Sequence, residues 1–507
     1  MKKVIIAIST FLLLSGGIVS GQTSLSFYHL GNATFQNGSY NPAFVPDGKV
    51  FLGLPGLSGI HFHYNNRLSY KELVSKLETG QSKVDLRKGL KNLGINNLLS
   101  VQTNISLLHL GFVTDKGMSF SLFANERIEA DVLFNKKVMN FLIRGNTTAI
   151  DQKIQIGKTR VSATHFREIG IGATYPSPNA NIVLGARIKY LQGFLNYSTP
   201  ENQSAYLTTD DETFELTGDV SDMMLRSSGS NILKDAGNNV DHFIFNQNRG
   251  VALDLGFDWQ MNSYNKVSVS VTDLGYISWK EDIENRFVAD TSFSYSGFDL
   301  RNVNDLPQTI KDSLVERFDI EKNQKAYRTL IGPKAFASWA LKANDFGGGG
   351  TIISSVGTRY VQKQMKFLLG VGYQQKFGKA FTGSVNMTKL PQQFFNVGAA
   401  LAAKGGPAQF YLAVDQIYNF DVTRFQSFDM RLGVNFIFGR GRSKEQSARH
   451  SSTTYNTEKI KKRGPGFNQN QSFMGGRVKV IRQEGIYNII PKQGRRKKEE
   501  YMSTPPE

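Results

Sequence analysis

The sequence predicts an all-β protein, a 14-stranded (12–16) antiparallel transmembrane β-barrel followed by a disordered C-terminal tail. Three observations support this fold class. Apolar and polar residues alternate along many segments, short turns alternate with long connections, and no segment after the N-terminus has about 18 consecutive apolar residues. The 49 glycines and 36 phenylalanines agree with it, because glycine suits a crowded lumen wall and aromatic residues suit the lipid interfaces.

Residues 1–21 are predicted to be a secretory signal peptide. Lys2 and Lys3 precede an apolar run, and the small residues Ser20 and Gly21 precede the expected cleavage before Gln22. A membrane anchor is the alternative, but the run is short and is broken by glycines. The chain has no cysteine, which excludes a lipid-modified N-terminal cysteine, disulfide bonds and thiol catalysis. We therefore expect an exported chain.

Residues 48–439 are predicted to form the barrel. In Val251–Trp259 the apolar residues share one face, while Asp254 and Asp258 share the other. Carboxylates suit a wet lumen better than the buried face of a secreted soluble β-protein, and apolar residues suit lipid. The predicted strands are 48–65, 99–113, 118–133, 158–175, 180–197, 249–260, 265–279, 326–343, 351–361, 365–376, 380–389, 394–403, 408–418 and 426–439.

The connections predict the orientation. With the N-terminus in the periplasm, short turns such as 114–117, 176–179 and 261–264 fall on the periplasmic side, and long connections fall outside. An even strand number returns the tail to the periplasm. In the first long connection, a capping-box pattern from Ser69 to Glu72 predicts a short helix; residues 310–318 predict another.

Three features carry a family resemblance: "SYNPAFVPDGKVFLGLPGLSG" (39–59), "VSVTDLGYISW" (269–279) and the strand count. The chain resembles an uncharacterised Bacteroidota family of outer-membrane barrels, similar to FadL-type porins and to the barrels that accompany type IX secretion. The resemblance implies that residues 22–47 form a hatch inside the barrel. Its motif residues here are Asn41, Pro42, Ala43 and Phe44.

Asp273, Leu274 and Gly275 interrupt the seventh predicted strand, ahead of Trp279. An aspartate beside a glycine can mark a bulge where a hatch packs, or only a packing kink.

No catalytic or cofactor-binding constellation is found. His61 and His63 share one face of a strand and could hold a metal, but no third ligand is visible, so two lumen-wall or interfacial imidazoles are the alternative. The acidic loop 208–219 could bind Ca²⁺, bridge to lipopolysaccharide phosphates, or be a solvated loop.

Residues 440–507 are predicted to be a largely disordered periplasmic tail. This segment has 16 Lys and Arg against 6 Asp and Glu, a net charge of +10 of the chain's +18, and few apolar residues. Nucleic acid is not expected in the periplasm, which leaves anionic lipid, peptidoglycan or an acidic protein. The segment 477–491 is predicted to add a strand to a partner's sheet. The candidate contact residues are Lys461, Lys462, Arg463, Val478, Val480, Ile481, Arg495, Arg496, Lys497 and Lys498.

Two functions follow from these features. The first is a structural subunit of an envelope assembly. Its barrel would lie in outer-membrane lipid and lipopolysaccharide beside other outer-membrane proteins, and its tail would contact periplasmic partners. The alternative is a FadL-like passive channel for hydrophobic or small amphipathic solutes. We do not expect the protein to be an enzyme, and we do not expect it to bind a cofactor.

Overall fold

The computed structural model describes the chain from Ser24 to Gly439 with gaps, together with three strands of the tail. The gaps are 67, 70, 72–73, 77–81, 151, 178–180, 201–202, 232–245, 289–290, 296–319, 344–348, 379, 390–394 and 418–425. The predicted signal peptide and the tail residues Lys461–Arg463 and Arg495–Lys498 lie outside the described residues.

Twenty-eight strands are described. They are β1 (Val50–Gly53), β2 (Ile60–Asn65), β3 (Val74–Lys76), β4 (Ser82–Val84), β5 (Asn96–Val113), β6 (Ser119–Asn135), β7 (Ile154–Gln155), β8 (Arg160–Pro176), β9 (Ile182–Ser198), β10 (Ser204–Thr209), β11 (Leu216–Ser221), β12 (Met223–Ser228), β13 (Arg249–Gln260), β14 (Asn265–Trp279), β15 (Asn285–Val288), β16 (Thr291–Tyr295), β17 (Ile320–Asn323), β18 (Tyr327–Leu330), β19 (Lys334–Ala343), β20 (Gly350–Val361), β21 (Gln364–Phe377), β22 (Phe381–Lys389), β23 (Phe395–Gly405), β24 (Ala408–Val414), β25 (Ser427–Phe438), β26 (Asn470–Phe473), β27 (Gly476–Gln483) and β28 (Ile486–Pro491).

The barrel closes because its first wall position pairs with its second and its last. Phe51 of β1 lies opposite Gly111 of β5 and Ile437 of β25, and β2 pairs with the same two strands. Each of the other neighbours in the wall is also antiparallel. In order, the wall positions are β1/β2, β5, β6, β8, β9, β13, β14, β18/β19, β20, β21, β22, β23, β24 and β25. The predicted 14-stranded barrel is confirmed.

The first wall position is not the continuous strand predicted over 48–65. Six residues, 54–59, separate β1 from β2, while only two residues of β25 lie between their partners Asn435 and Leu432. Pro55 has no N–H to donate, and Gly56 has φ +69°, so the sequence itself ends the ladder here. Ser58 returns to the lumen, where it is fully buried.

The two faces of the wall differ as predicted. Val251, Leu253 and Leu255 are 54%, 37% and 46% exposed, whereas Asp254 is fully buried on the other face. Exposed aromatic rings gather beside the short turns, the end that we call the turn end, as in interfacial belts of membrane barrels. They include Phe112, Phe120, Trp259, Phe377, Phe381 and Phe438.

The opposite end, the loop end, carries more strands than the sequence predicted. β7, β10, β11 and β16 form a separate four-stranded sheet over a small core that includes Val138 and Leu207. Of the short helix predicted from Ser69, Lys71 is helical, but Val74–Lys76 is β3, paired with β4. The β-branched Val74 and Val84 lie opposite each other in that hairpin.

The described α-helices are α1 (Leu25–Tyr28), α2 (Leu86–Asn92) and α3 (Lys136–Arg144), and short 3₁₀ helices occur at Gly31–Ala33, Phe35–Ser39, Asn146–Ala149 and Ile156–Lys158. None of the helices among the described residues has the length and hydropathy needed to span a membrane.

The structure describes three strands within the tail. There β26, β27 and β28 form an antiparallel three-stranded sheet.

Candidate functional site

The segment 24–47 packs on the inner face of the barrel, and its first residues are anchored by Asp415. The backbone N–H groups of Leu25 and Ser26 donate to the two carboxylate oxygens at 3.0 and 2.9 Å. These N–H groups open α1 and have no partner within the helix, so the carboxylate satisfies donors that would otherwise be buried and unpaired. Asn386 donates to Ser26 Oγ at 2.9 Å.

Asn41, Pro42 and Ala43 lie on two glycines of the wall. A Cβ on Gly185 would collide with the Pro42 carbonyl, and one on Gly256 would collide with the Asn41 side chain. The side-chain oxygen Oδ1 of Asn41 accepts from Ala43 N at 2.9 Å, which closes a local turn. The glycines of β9 and β13 therefore form the seat of the motif, because only they allow the backbone this close.

Aromatic side chains fill the lumen beside this seat. The motif residue Phe44 packs with Tyr28, and Tyr28 stacks on Phe336 of β19 at 5.4 Å between ring centroids. The Arg431 guanidinium lies over the rings of Phe27 and Tyr40, at 4.7 and 5.2 Å from their centroids. At the turn end of the segment, a void of about 30 Å³ lined by Phe35, Pro42 and Phe44 remains, which is room for about one water.

His29 is a buried titratable group of this segment. Its Nε2 lies 2.9 Å from Ser355 Oγ, and its backbone carbonyl accepts from Gln374 at 2.7 Å. Burial lowers the pKa of His29 from 6.5 to about 3, because the charged imidazolium would lose its hydration. The segment is therefore docked with a neutral imidazole.

His61 and His63 share one carboxylate. His61 Nε2 lies 3.1 Å and His63 Nδ1 3.0 Å from the same oxygen of Asp429. Among the described residues, no group of three or more His, Cys, Asp or Glu side chains could hold a metal ion. The shared partner Asp429 thus explains why the two histidines lie side by side.

In the acidic loop, Asp210 accepts hydrogen bonds from the backbone N–H groups of Glu212 and Thr213. These hydrogen bonds, mainly those from Thr213, lower the pKa of Asp210.

A network of buried ion pairs crosses the lumen on the loop side of the segment. We call it the charged belt; its members are Arg127, Glu129, Asp131, Glu168, Lys189, Asp254, Asp273, Lys334 and Arg359. Asp273 is its centre. One oxygen of Asp273 accepts from Arg127 and Lys189 at 2.9 and 2.7 Å, and the other lies 3.3 Å from Lys334.

A bulge in β14 places Asp273 there. Two residues of β14, Thr272 and Asp273, lie opposite Asp254 alone. Asp273 has φ +61°, and its N–H donates to Asp254 Oδ1 at 2.7 Å. Aspartate tolerates this left-handed conformation better than most residues. The predicted strand-break position is therefore also the hub of the belt.

The remaining strand-break residues lie on both faces. Leu274 is exposed to the lipid side, and Gly275 lies against the backbone of Val251 and Ala252. Trp279 is fully buried and donates to Thr329 Oγ1 at 2.8 Å. Trp279 thus packs inward and is not part of an interfacial belt.

Arg359 links the two sides of the barrel. Its Nη2 donates to Asp131 at 2.9 Å and to Glu129 at 3.1 Å. β20 and β6 are six positions apart in the wall. A second link joins Arg160 of β8 to the Gln362 carbonyl in the turn after β20, at 3.0 Å. The tip of the β20–β21 hairpin therefore reaches over the lumen.

A cavity of about 1000 Å³ lies on this floor, open toward the loop end. Apolar side chains such as Phe166, Ile331 and Val361 line it beside hydroxyl groups and charges of both signs. Its volume is at the upper limit of typical small-molecule sites. None of its lining residues was singled out from the sequence. The sequence does hold one relevant signal. Arg127, Glu129 and Asp131 occupy every second position of one strand, so their three charged side chains share one face of it.

Among the predicted tail contacts, Val478, Val480 and Ile481 lie in β27. Their role in binding a partner stays a prediction.

Comparisons with known proteins give one family. The model described as "Family of unknown function (DUF5723)" matches residues 42–415. No curated protein matches the sequence. Among solved structures, the chain is similar to the Pseudomonas putida toluene transporter TodX, with 9% identity, a TM-score of 0.36 and coverage of 82% of this chain and 94% of that one. It is also similar to the Ralstonia pickettii toluene transporter TbuX, with 9% identity, a TM-score of 0.37 and coverage of 78% and 92%.

Proposed function

Because the chain belongs to DUF5723, a family of unknown function, we propose its function from the barrel itself: an outer-membrane channel for small amphipathic solutes, closed by the segment 24–47. The observation that carries this proposal is the cavity of about 1000 Å³ above a floor held by reversible contacts. A solute that enters from the loop end meets the charged belt and then the segment.

The lining of the cavity supports an amphipathic solute. Phe166, Phe287 and Ile331 offer apolar surface, while Ser162 and Arg226 offer hydrogen bonds. A purely apolar solute would leave the polar groups without partners, which disfavours its binding.

The way in which the segment 24–47 is held in the lumen supports its role as a gate of the channel. The segment is held by hydrogen bonds and packing, and the chain has no cysteine to lock it. Residues 24–47 can leave the lumen without breaking the wall, since the strands of the wall begin only at Val50.

Uptake into proteoliposomes tests the proposal. The full chain should take up labelled phenylalanine with saturation, and Ser162→Trp, which places a bulky indole ring in the cavity, should lower uptake at least tenfold. Val385→Trp is the matched control, because Val385 is 53% exposed on the lipid face. Uptake equal to that of protein-free liposomes, or equal uptake by both variants, would contradict a channel.

The assembly subunit remains the second candidate, supported by the sheet of β26, β27 and β28 in the basic tail. Here the barrel sits in lipid and lipopolysaccharide and the tail reaches a periplasmic protein or peptidoglycan. Affinity purification of the full chain and of residues 1–439 from outer membrane tests it. Loss of one specific partner with the truncation supports the assembly; identical co-purifying proteins contradict it.

A further inference from the structure

We propose, on the basis of the proposed function, that the cavity binds a zwitterionic solute such as a short peptide, with Arg359 as the partner of its carboxylate and Glu129 and Asp131 as partners of its ammonium. The floor of the cavity presents both charges side by side. This pairing names the class of solute more narrowly than an amphipathic molecule.

Arg359 is a cation at the floor of the cavity, and it pairs with two carboxylates. The residue is 3% exposed, and its two terminal nitrogens donate to Asp131 and Glu129. Its Nε is buried and has no acceptor among the described residues. Because Arg359 lines the cavity, a solute carboxylate that takes the place of Asp131 or Glu129 keeps its guanidinium paired.

The charges that line the cavity disfavour solutes of one sign. Glu129, Asp131 and Asp222 would repel an anion, and Arg226 and Arg359 would repel a cation. A hydrocarbon would cover these charges without replacing their hydration. A zwitterion offers a partner to each sign, and its side chains can lie against the apolar part of the lining.

Binding of a zwitterion in the cavity would also break ion pairs of the charged belt. An ammonium that takes Asp131 and Glu129, and a carboxylate that takes Arg359, replace the link between β6 and β20 with contacts to the solute. The solute itself thus loosens the floor that blocks its path.

Isothermal titration of the full-length protein in nanodiscs tests the inference. The probes are trileucine, N-acetyl-trileucine, which lacks the ammonium, and trileucine amide, which lacks the carboxylate. At pH 7 trileucine should bind at least tenfold more tightly than either blocked peptide. Equal binding of all three peptides, or no binding of trileucine at millimolar concentration, overturns the inference.

Variants assign the carboxylate partner. In Arg359→Gln, trileucine and trileucine amide should bind alike, while N-acetyl-trileucine should not recover; continued discrimination of the amide overturns the role of Arg359. Lys49→Gln is the matched control, since Lys49 pairs with Asp115 on the exposed surface. If Arg359→Gln fails to fold, titration of the unsubstituted protein with the three peptides still tests whether the cavity binds a zwitterion. Charge-dependent binding without any uptake contradicts the channel alone, and uptake without charge discrimination contradicts this inference alone.

Discussion

Arg359 Nη2 and Asp131 Oδ2 lie 2.9 Å apart across the lumen, although 228 positions separate the two residues in sequence. Both residues are buried. The pair closes the floor of the cavity and holds the β20–β21 hairpin over the barrel.

Removal of one member of this pair should destabilise the barrel. In Asp131→Asn or Arg359→Gln, the other residue stays buried with part of its charge unpaired, so the free energy of unfolding should fall by about 3–5 kcal/mol. The double variant Asp131→Asn with Arg359→Gln should lose less than the sum of the two single losses. Urea unfolding, followed by the gel shift of the heat-denatured barrel, measures all three; additive losses in the double variant would show that the residues act independently.

Asp415→Ala should release the start of the segment and leave the wall intact. The substitution removes the acceptor of the Leu25 and Ser26 N–H groups, which then lie buried without partners at a cost of about 1–3 kcal/mol each. Protease cleavage within 24–47 should become at least tenfold faster. Asp115→Ala is the control, because Asp115 lies at the exposed turn end, and an equal change in both variants contradicts the anchoring role of Asp415.

Gly256→Ala should displace the motif. The new methyl group would collide with Asn41 and Ala43, and overpacking of this kind costs about 1–3 kcal/mol. Gly405→Ala serves as the comparison, since no atom lies within 4 Å of the added Cβ. Proteolysis at Asn41 should become faster in Gly256→Ala and stay unchanged in Gly405→Ala. If Asn41 stays protected in both variants, the seat tolerates a side chain at residue 256.

Acid should weaken docking of the segment through His29. The docked pKa of His29 is about 3, against 6.5 when it is free, so the released segment binds the proton. Docking through this group is complete above pH 6.5 and loses about 1.4 kcal/mol per pH unit between pH 6.5 and 3. Protease accessibility of 24–47 should therefore rise about fifteenfold from pH 6.5 to 5.0, and His29→Gln should remove most of this dependence. The same pH profile in both proteins would exclude His29 as the cause.

The wall of the barrel could be predicted because each strand carries its own signal. Successive residues alternate between lipid and lumen, so Val251–Trp259 shows its two faces without knowledge of its neighbours. The break between β1 and β2 was missed, although Pro55 and Gly56 signal it. The extra strands at the loop end, such as β10 and β11, lie between the predicted strands 180–197 and 249–260, where no strand was predicted.

The site could not be predicted to the same extent. The sequence indicates that Arg127, Glu129 and Asp131 face the lumen, but their partners depend on the register of every strand between them. Arg359 meets Asp131 only because the barrel closes, and the seat at Gly185 and Gly256 becomes visible only when Asn41 and Pro42 lie on it. Such contacts between distant residues leave no local pattern.

A reversible lock on the segment tests the central claim most directly. Because the chain has no cysteine, the pair Ser26→Cys and Asn386→Cys, whose native side chains lie 2.9 Å apart at Oγ and Nδ2, can form one defined disulfide. Phenylalanine uptake into proteoliposomes should be absent when the pair is oxidised and should return to the level of the unmodified chain on reduction. Equal uptake in the two states would contradict closure of the channel by this segment.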